Sequence, residues 1–580
     1  MRLNHFRKPP PAKPSGRADD RRRVPSAWAA APLTRLAQAV CLALFLALFF
    51  HVLRPDDSPQ VAPVRQDRRL IGIDVALRLD PLVGIAASLA SRTATSALVV
   101  AGCVLLAGVA VPRLFCGYVC PLGTIVDLWD WAVARRLRRF HLHRRGPWVH
   151  LRYGLLAAVL AAAAGGAMVA GYVSPIPLLT RGLLVTLAPL QIGLLRHWGA
   201  VPPMQWEHFL AAIPLAGVMA LSLLGPRFWC RCVCPAGALF SLAARLRVTE
   251  RKVAPACVRC GRCRVVCSMD AVADDFTTRD ADCTFCQVCG GVCPVGAIQF
   301  TPRWDRSTEW LHGDATVPAT VGLSRRALLT GAVGGIAGVL LTRYIGPADR
   351  AGEGWMPVRP PGSVPEEQFL RQCVRCGECM KACPSQCLQP LGLQTGLAGL
   401  WTPHVVADWA GCHENCSNCG QVCPTGAIRP LDLEEKRAVR IGLAVVNEAA
   451  CLSHSGREPC RLCYLQCRAA GHDAIEFIRL HVQLDEDGMP DDQTGIDAPV
   501  VVADRCVGCG QCQARCHAVN VVARGALAKA AIVTRAGQGR DDRLPSGSYL
   551  ELREAERRRR RQKRSQGSPV RDDYLPDFLE

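Results

Sequence analysis

Twenty-four of the 32 cysteines fall into six tight blocks of four, and this pattern constrains the fold more than any other feature of the sequence. The first two blocks are Cys257, Cys260, Cys263, Cys267 and Cys283, Cys286, Cys289, Cys293, the last followed by Pro294. Three thiolates in a short loop plus a fourth that crosses to a neighbouring site is the two-cluster bacterial ferredoxin pattern. The expected sets are therefore Cys257, Cys260, Cys263 with Cys293, and Cys283, Cys286, Cys289 with Cys267, each holding one [4Fe–4S] cluster. Ser268 stands where that pattern has Pro, which touches a turn and not the ligand count. Four further blocks follow: Cys373, Cys376, Cys379, Cys383; Cys412, Cys416, Cys419, Cys423; Cys451, Cys460, Cys463, Cys467; and Cys506, Cys509, Cys512, Cys516. They allow up to four more [4Fe–4S] clusters. Spacing leaves open which of these blocks exchange their fourth cysteine; exchange between neighbours is the expectation. Cys387 lies outside the pattern and reads as a spare. Structural zinc is the rival, but zinc sites pair two short Cys motifs and do not repeat three plus a crossed fourth. A disulfide scaffold is excluded by the chain's length and its 50% hydrophobic content.

The apolar residues are concentrated. Segments 33–53, 94–111, 151–173 and 207–225 are each long enough to span a hydrocarbon core of about 30 Å. Two weaker segments begin at Asp80-Pro81 and Ser174-Pro175 and read as re-entrant or interfacial helices. A lone Cys41 and a lone Cys103 within the apolar spans read as packing residues. His51 and His208 sit at expected span ends; a quinol site or one haem is compatible with them, and interface-seeking polar residues are the simpler account.

An internal repeat fixes part of the topology. PRLFCGYVCPLGTIVDL (112–128) and PRFWCRCVCPAGALFSL (226–242) agree at eight of seventeen positions. Equivalent copies belong on one membrane face, so an even number of spans separates them, and residues 178–195 are not expected to cross. Each copy carries a Cys-x3-Cys-Pro motif: Cys116 and Cys120, then Cys230 and Cys234, with Cys232 as a fifth thiol. Together the four are a candidate shared metal or cluster site; a thiol–disulfide or copper-handling pair, or inert packing thiols, are the alternatives.

The net charge of +20 sits in runs at 21–23, 135–145 and 557–564. No nucleic-acid-binding signature accompanies them, so no nucleic-acid partner is expected. The first two runs flank apolar segments, which places that face in the cytoplasm. Ser324-Arg325-Arg326-Ala327-Leu328-Leu329 ahead of a Gly/Ala/Leu run resembles a twin-arginine export signal, with an ordinary basic-flanked span or a soluble helix as rivals.

Residues 33–300 resemble the NapH/MauN family of membrane ferredoxin-type proteins, in their apolar segments, paired Cys-x3-Cys-Pro motifs and two-cluster domain. Residues 323–525 resemble the NapG/MauM family, in the Arg-Arg signal and four cluster motifs. The expected architecture is multidomain: a 1–32 cytoplasmic tail, a 33–249 helical transmembrane bundle, a 250–303 α+β bacterial-ferredoxin-like domain, a 323–346 anchor, a 365–530 four-motif ferredoxin domain and a 531–580 basic tail read as solvated and disordered. The resemblance implies a multi-pass protein of the bacterial inner membrane whose C-terminal domain is periplasmic. It implies electron transfer from the quinol pool to a periplasmic reductase or dehydrogenase, or its cytochrome, as an electron carrier or quinol-dehydrogenase-like component rather than a stand-alone catalyst. A maturation or copper-reducing accessory role is the alternative.

Overall fold

The computed structural model describes residues 30–51, 74–137, 147–305, 325–344, 355–483 and 491–565, apart from Thr95, residues 492–493 and Gln538. The expected N-terminal tail with its 21–23 run, most of the basic loop before residue 147, Ser324 and the end of the C-terminal tail lie outside the described residues. So do the side chains of Arg325 and Arg326.

A helical bundle forms the first body. Its helices are α1 (Pro32–His51), α2 (Pro81–Ser91), α3 (Ser96–Ala110), α4 (Pro121–Trp129), α5 (Leu151–Ala164), α6 (Pro175–Thr186), α7 (Ala188–Leu195), α8 (Trp206–Leu221) and α9 (Pro235–Ala243). Among the described residues α1 alone is long and apolar enough to cross a bilayer, or two segments are if the pair α6–α7, bent by 40°, counts as one. The other expected spans hold shorter apolar helices: α3 has 15 residues, α5 has 14 and α8 has 16. At about 1.5 Å per residue these are roughly 21–24 Å long. Gly165-Gly166 ends α5 early, and π-helical turns at Phe115–Val119 and Trp229–Val233 interrupt the chain after α3 and α8. Both weaker segments form helices with Pro in the first turn, where its missing N–H costs nothing. Ser174 Oγ donates to Asp80 Oδ2 at 2.6 Å and ties their starts together. α6 is buried along most of its length, and its 40° bend with α7 fits a broken span as well as a re-entrant loop.

Two cysteine-rich units cap opposite ends of this bundle. The first is closed by antiparallel strands β1 (Thr249–Val253) and β2 (Ile298–Pro302), paired Thr249 to Pro302 and Val253 to Ile298. It sits against the π-turns: Tyr118 Oη donates to Phe285 O, Ser241 Oγ to Ala281 O and Arg152 Nη2 to Asp282 Oδ1. α10 (Arg325–Tyr344) then runs beside α5. A Cβ at Gly331 would meet Gly154 O at 2.5 Å and one at Gly335 would meet Ala158 O at 2.6 Å, so only glycine permits this approach.

The second unit has two modules with separate cores. In the first, β3 (Leu388–Pro390) pairs with β4 (Pro403–Val405), and α11 (Leu433–Ala438) follows. In the other, β5 (Leu443–Val446) and β6 (Ile475–Leu480) pair with β8 (Ile532–Arg535) and β7 (Ile496–Val501) respectively. This unit docks on the far end of the bundle, where Arg375 Nη1 donates to Met168 O, Arg196 Nη1 to Pro384 O and Tyr172 Oη to Leu397 O. The ordered C-terminal unit extends past residue 530, contrary to the expected disordered tail. Residues 532–535 complete a sheet, Tyr549 is fully buried, and α12 (Tyr549–Ser565) packs along α11 with Arg553 paired to Asp542. The Arg run that reads as a solvated tail belongs to a helix whose first turns carry apolar anchors.

Candidate functional site: the cysteine pockets

The regular blocks share one loop geometry. The residue before the second cysteine and the residue after it are both left-handed: Arg259 and Gly261, Phe285 and Gln287, Arg375 and Gly377, Gly508 and Gly510. This double reversal coils the chain around a centre and turns successive N–H groups inward, the backbone arrangement that stabilises a buried anion. Gln287 holds that conformation at φ 59° where three other blocks use glycine.

The cysteines gather in crossed sets. Cys257, Cys260 and Cys263 line one pocket with Cys293. Cys267 instead lies beside Cys283, Cys286 and Cys289. In the C-terminal unit Cys423 lies beside Cys373, Cys376 and Cys379. Cys383 lines the pocket of Cys412, Cys416 and Cys419. Cys516 completes Cys451, Cys460 and Cys463, and Cys467 completes Cys506, Cys509 and Cys512. Every block thus gives its fourth cysteine to its neighbour, including the block with the long Cys451–Cys460 gap. Cys387, a spare on spacing alone, is 1% exposed and enters the Cys412 pocket with its Sγ 3.5 Å from Cys383 Sγ. No spacing signal marks it, because it reaches the pocket through the Cys383-Pro384 turn.

Several crossed cysteines are solvated by the protein itself. Ala271 N donates to Cys267 Sγ, Ile428 N to Cys423 Sγ and Ala474 N to Cys467 Sγ at 3.2–3.4 Å. Asn520 Nδ2 lies 3.8 Å from Cys460 Sγ and 3.7 Å from Cys516 Sγ. Burial pushes the thiols of Cys283, Cys376, Cys379, Cys419 and Cys512 well above the ordinary thiol value. A thiol buried in this way becomes a thiolate when a strong cation binds beside it. Among the described residues no group of three or more His, Cys, Asp or Glu side chains suits a single metal ion. The cysteine-lined spaces suit a polynuclear iron–sulfur group.

The two Cys-x3-Cys-Pro copies meet about a pseudo-two-fold axis. Arg113 and Arg227 are both left-handed, at φ 52° and 48°, and each reaches into the other copy. Arg113 Nη2 donates to Cys230 O and Gly237 O at 3.3 Å; Arg227 donates to Cys116 O at 3.1 Å and Gly123 O at 3.4 Å. A Cβ at Gly237 would fall 3.1 Å from Cys230 O and one at Gly123 would fall 3.2 Å from Cys116 O, so both copies crowd any larger residue at this position. Cys116, Cys120, Cys230 and Cys234 come into one neighbourhood through this crossing. Cys232 is buried apart from that axis, on the side of Arg152 and Asp282. Cys41 is half-buried, whereas Cys103 is exposed on the outer face of α3 rather than packed. His51 is exposed at the end of α1; His208 is buried and bonded to Gln389, not set at an interface as a free polar end.

A family model described as a 4Fe-4S binding domain matches residues 93–141, 207–253 and 288–313. The first two segments each contain one Cys-x3-Cys-Pro motif. The methylamine utilization ferredoxin-type protein MauM of Methylorubrum extorquens is 34% identical over 199 residues, 33% of this chain and 84% of the relative. This chain belongs to the ferredoxin-type protein family. The ferredoxin-type protein NapG of Escherichia coli is 35% identical over 163 residues, 27% of this chain and 65% of NapG. Ferredoxin-type protein NapH of the same organism is 28% identical over 248 residues, 40% of this chain and 77% of NapH. The ferredoxin-type chain is accordingly a fusion of a NapH/MauN-type part with a NapG/MauM-type part, and an iron–sulfur electron-transfer protein. No solved structure matches it.

Proposed function

We propose that this ferredoxin-type protein is integral to the bacterial inner membrane and carries electrons from the quinol pool to a periplasmic oxidoreductase. The observation that carries the reading is the placement of two cysteine-rich units at opposite ends of one apolar-faced bundle. Leu36, Val40 and Leu44 on α1, Val99 and Leu106 on α3, and Ile213 on α8 are exposed, as lipid-facing side chains are. α10 passes along the bundle from the first unit towards the second, which suits a chain that changes sides, with the twin-arginine-like sequence at its start. The domain limits read from the sequence stand within this proposal, except that the ordered C-terminal unit runs on to residue 565.

Six [4Fe–4S] clusters are assigned to the six crossed cysteine sets, two in the first unit and four in the second; bound clusters supply one-electron redox capacity. The chain's own residues hold them in place, exclude water and tune them through N–H···S bonds and nearby Arg side chains. Cys116, Cys120, Cys230 and Cys234 are a further candidate thiol or metal site, supported by their gathering at the pseudo-two-fold and by the family match over both motifs. The test is iron and acid-labile sulfide per chain on anaerobically purified, detergent-solubilised protein, with oxidation of a quinol analogue assayed on the same sample. About 24 iron atoms are expected, four per cluster. Full iron with no quinol oxidation but with Cu(II) reduction would move the assignment to a metal-reducing accessory role. Zinc in place of iron would overturn it.

A further inference from the structure

The fourth cysteine of each block crosses to its neighbour's pocket, and in two of the six blocks the residue four positions further on reaches back to that sulfur. Cys387 follows Cys383, and Asn520 follows Cys516. The corresponding residues after Cys267, Cys293, Cys423 and Cys467 are Ala271, Ala297, Ala427 and Gly471, which have no polar side chain. Cys387 Sγ lies 3.5 Å from Cys383 Sγ. Asn520 Nδ2 lies 3.7 Å from Cys516 Sγ and 3.8 Å from Cys460 Sγ. The two residues arrive by different routes. Cys387 comes round the Cys383-Pro384 turn, whereas Asn520 stands in a π-helical turn, His517–Ala523, that continues the short helix Gln511–Cys516. Unlike local structures thus bring a donor to the same place.

Packing accounts for neither side chain. Asn520 is 2% exposed and lies among Val446, Leu452, Leu462 and Leu527. Its Oδ1 has no partner, so the two sulfurs are what its amide gains among the described residues. An amide buried in apolar surroundings with an unmet oxygen is unfavourable beside a leucine of similar size. Cys387 is a fifth thiol in a pocket where an iron–sulfur cube needs four. A thiolate that binds iron carries no proton, so in the pair Cys383–Cys387 the Cys387 S–H is then the donor. The hydroxyl two positions after the crossed cysteine does not separate the pockets in this way. Ser385 Oγ lies 3.5 Å from Cys383 Sγ, and Thr425 Oγ1 lies 4.0 Å from Cys423 Sγ.

We infer that Cys387 and Asn520 tune the potentials of two clusters in the C-terminal unit, each by donating a hydrogen bond to the crossed thiolate. The inference rests on the iron–sulfur reading above and says which two pockets differ from the rest. Reduction adds one electron to a cluster and makes its sulfurs better acceptors. A donor at a ligand sulfur therefore stabilises the reduced state more than the oxidised one and raises the potential. The Cys412 and Cys451 pockets take up an electron more readily than they would without these side chains. One of these pockets lies in each module, so each module pairs a pocket that has the extra donor with one that lacks it. Both residues act through a ligand and are positioning residues.

The test is a mediated redox titration of the full chain in detergent, with dithionite as the electron donor and low-temperature EPR as the readout. Iron and labile sulfide are measured on every variant. Cys412→Ala and Cys451→Ala identify the EPR component of each pocket by its loss. Cys387→Ala is expected to make the Cys412-pocket component harder to reduce by about threefold to tenfold, up to about 59 mV for one electron, at full iron content. Cys387→Ser keeps a donor and should stay within twofold of the parent. Asn520→Leu keeps the shape and removes the donor, so the Cys451-pocket component should fall by a similar factor while the other components stay in place. Unchanged potentials in iron-replete Cys387→Ala and Asn520→Leu would overturn the inference and leave the cluster reading intact. Equal shifts in Cys387→Ser and Cys387→Ala would make the effect one of packing and overturn it at that pocket. Loss of about four iron atoms by Cys387→Ala would make Cys387 a ligand and overturn its role as a donor, with Asn520→Leu deciding the second pocket. A parent protein without iron would overturn the cluster reading and this inference with it.

Discussion

The crossed pairing of cysteines makes a quantitative prediction that an uncrossed arrangement contradicts. In the first unit, Cys257 and Cys293 share a pocket although 36 positions separate them, whereas Cys257 and Cys267 belong to one block but to different pockets. Three variants distinguish the schemes: Cys257→Ser, the pair Cys257→Ser with Cys293→Ser, and the pair Cys257→Ser with Cys267→Ser. If ligand loss empties a pocket, the single variant and the 257/293 pair each lose about four iron atoms, and the 257/267 pair loses about eight. The logic is that of a double-mutant cycle: effects within one pocket do not add, and effects in two pockets do. The assay is iron and labile sulfide per chain after anaerobic purification, with low-temperature EPR to count the surviving signals. Ser can retain a cluster at reduced occupancy, so the same series with Ala checks the count. Loss of eight by the 257/293 pair, with loss of four by the 257/267 pair, would refute the crossed assignment. In the C-terminal unit the matching pairs are Cys383 with Cys412, which share a pocket, and Cys383 with Cys373, which do not.

Three further outcomes are expected. Asp127 accepts from Arg227 Nε at 2.7 Å, Arg227 Nη2 at 2.8 Å and Arg35 Nη1 at 2.8 Å, so Asp127→Ala strands two guanidinium groups and should cost about 3–5 kcal/mol, read as a lowered melting temperature of the solubilised protein; no loss would mean that the pair is solvated. His404 is pushed down to about 4 by burial, with Arg359 acting in the same direction. Between about pH 4 and 6.5 the unfolded chain therefore takes up a proton that the folded chain refuses, so stability rises with pH across that window by up to about 3 kcal/mol, and His404→Phe should flatten that part of the pH–melting profile. Gly335→Leu should weaken the α5–α10 contact by about 1–3 kcal/mol, whereas Gly334→Leu, with nothing within 4 Å of its Cβ, should be neutral in the same melting assay; equal effects would refute the packing.

What the sequence makes legible here is whatever is encoded within a few residues. The three-in-a-row cysteine spacing fixes a loop that coils about a centre, so the first three members of each pocket can be read directly, whereas spacing leaves open which of the C-terminal blocks supplies the fourth. The repeat also reads directly, because Arg113, Cys116, Cys120 and Gly123 recur as Arg227, Cys230, Cys234 and Gly237. The pairings that make it work do not. Each arginine serves the opposite copy, across more than 100 positions, and no local pattern reports that. The surroundings of Cys387 and His208 escape the sequence for the same reason: both come from distant segments. The C-terminal tail reads as disordered because Arg559 to Arg561 and their neighbours dominate its composition, while a single buried Tyr549 and the 532–535 strand hold it to the unit.

The departure from symmetry in the repeat is also what fastens the first cysteine unit to the bundle. Arg227 finds its carboxylate within the repeat, at Asp127. The position equivalent to Asp127 in the second copy is Ser241, which has no charge to offer Arg113. Arg113 and Arg152, 0% and 1% exposed, are met instead by Asp282, the residue immediately before Cys283, with Arg152 Nη2 at 2.6 Å and Arg113 Nη1 at 3.9 Å. Ser241 completes the exchange by donating to Ala281 O. Two buried cations without this carboxylate would be strongly unfavourable, so the bundle and the first cysteine unit are energetically incomplete apart. The Asp127/Ser241 difference between the copies thus goes with an ion pair that ties the Cys283 loop to the Cys-x3-Cys-Pro repeat.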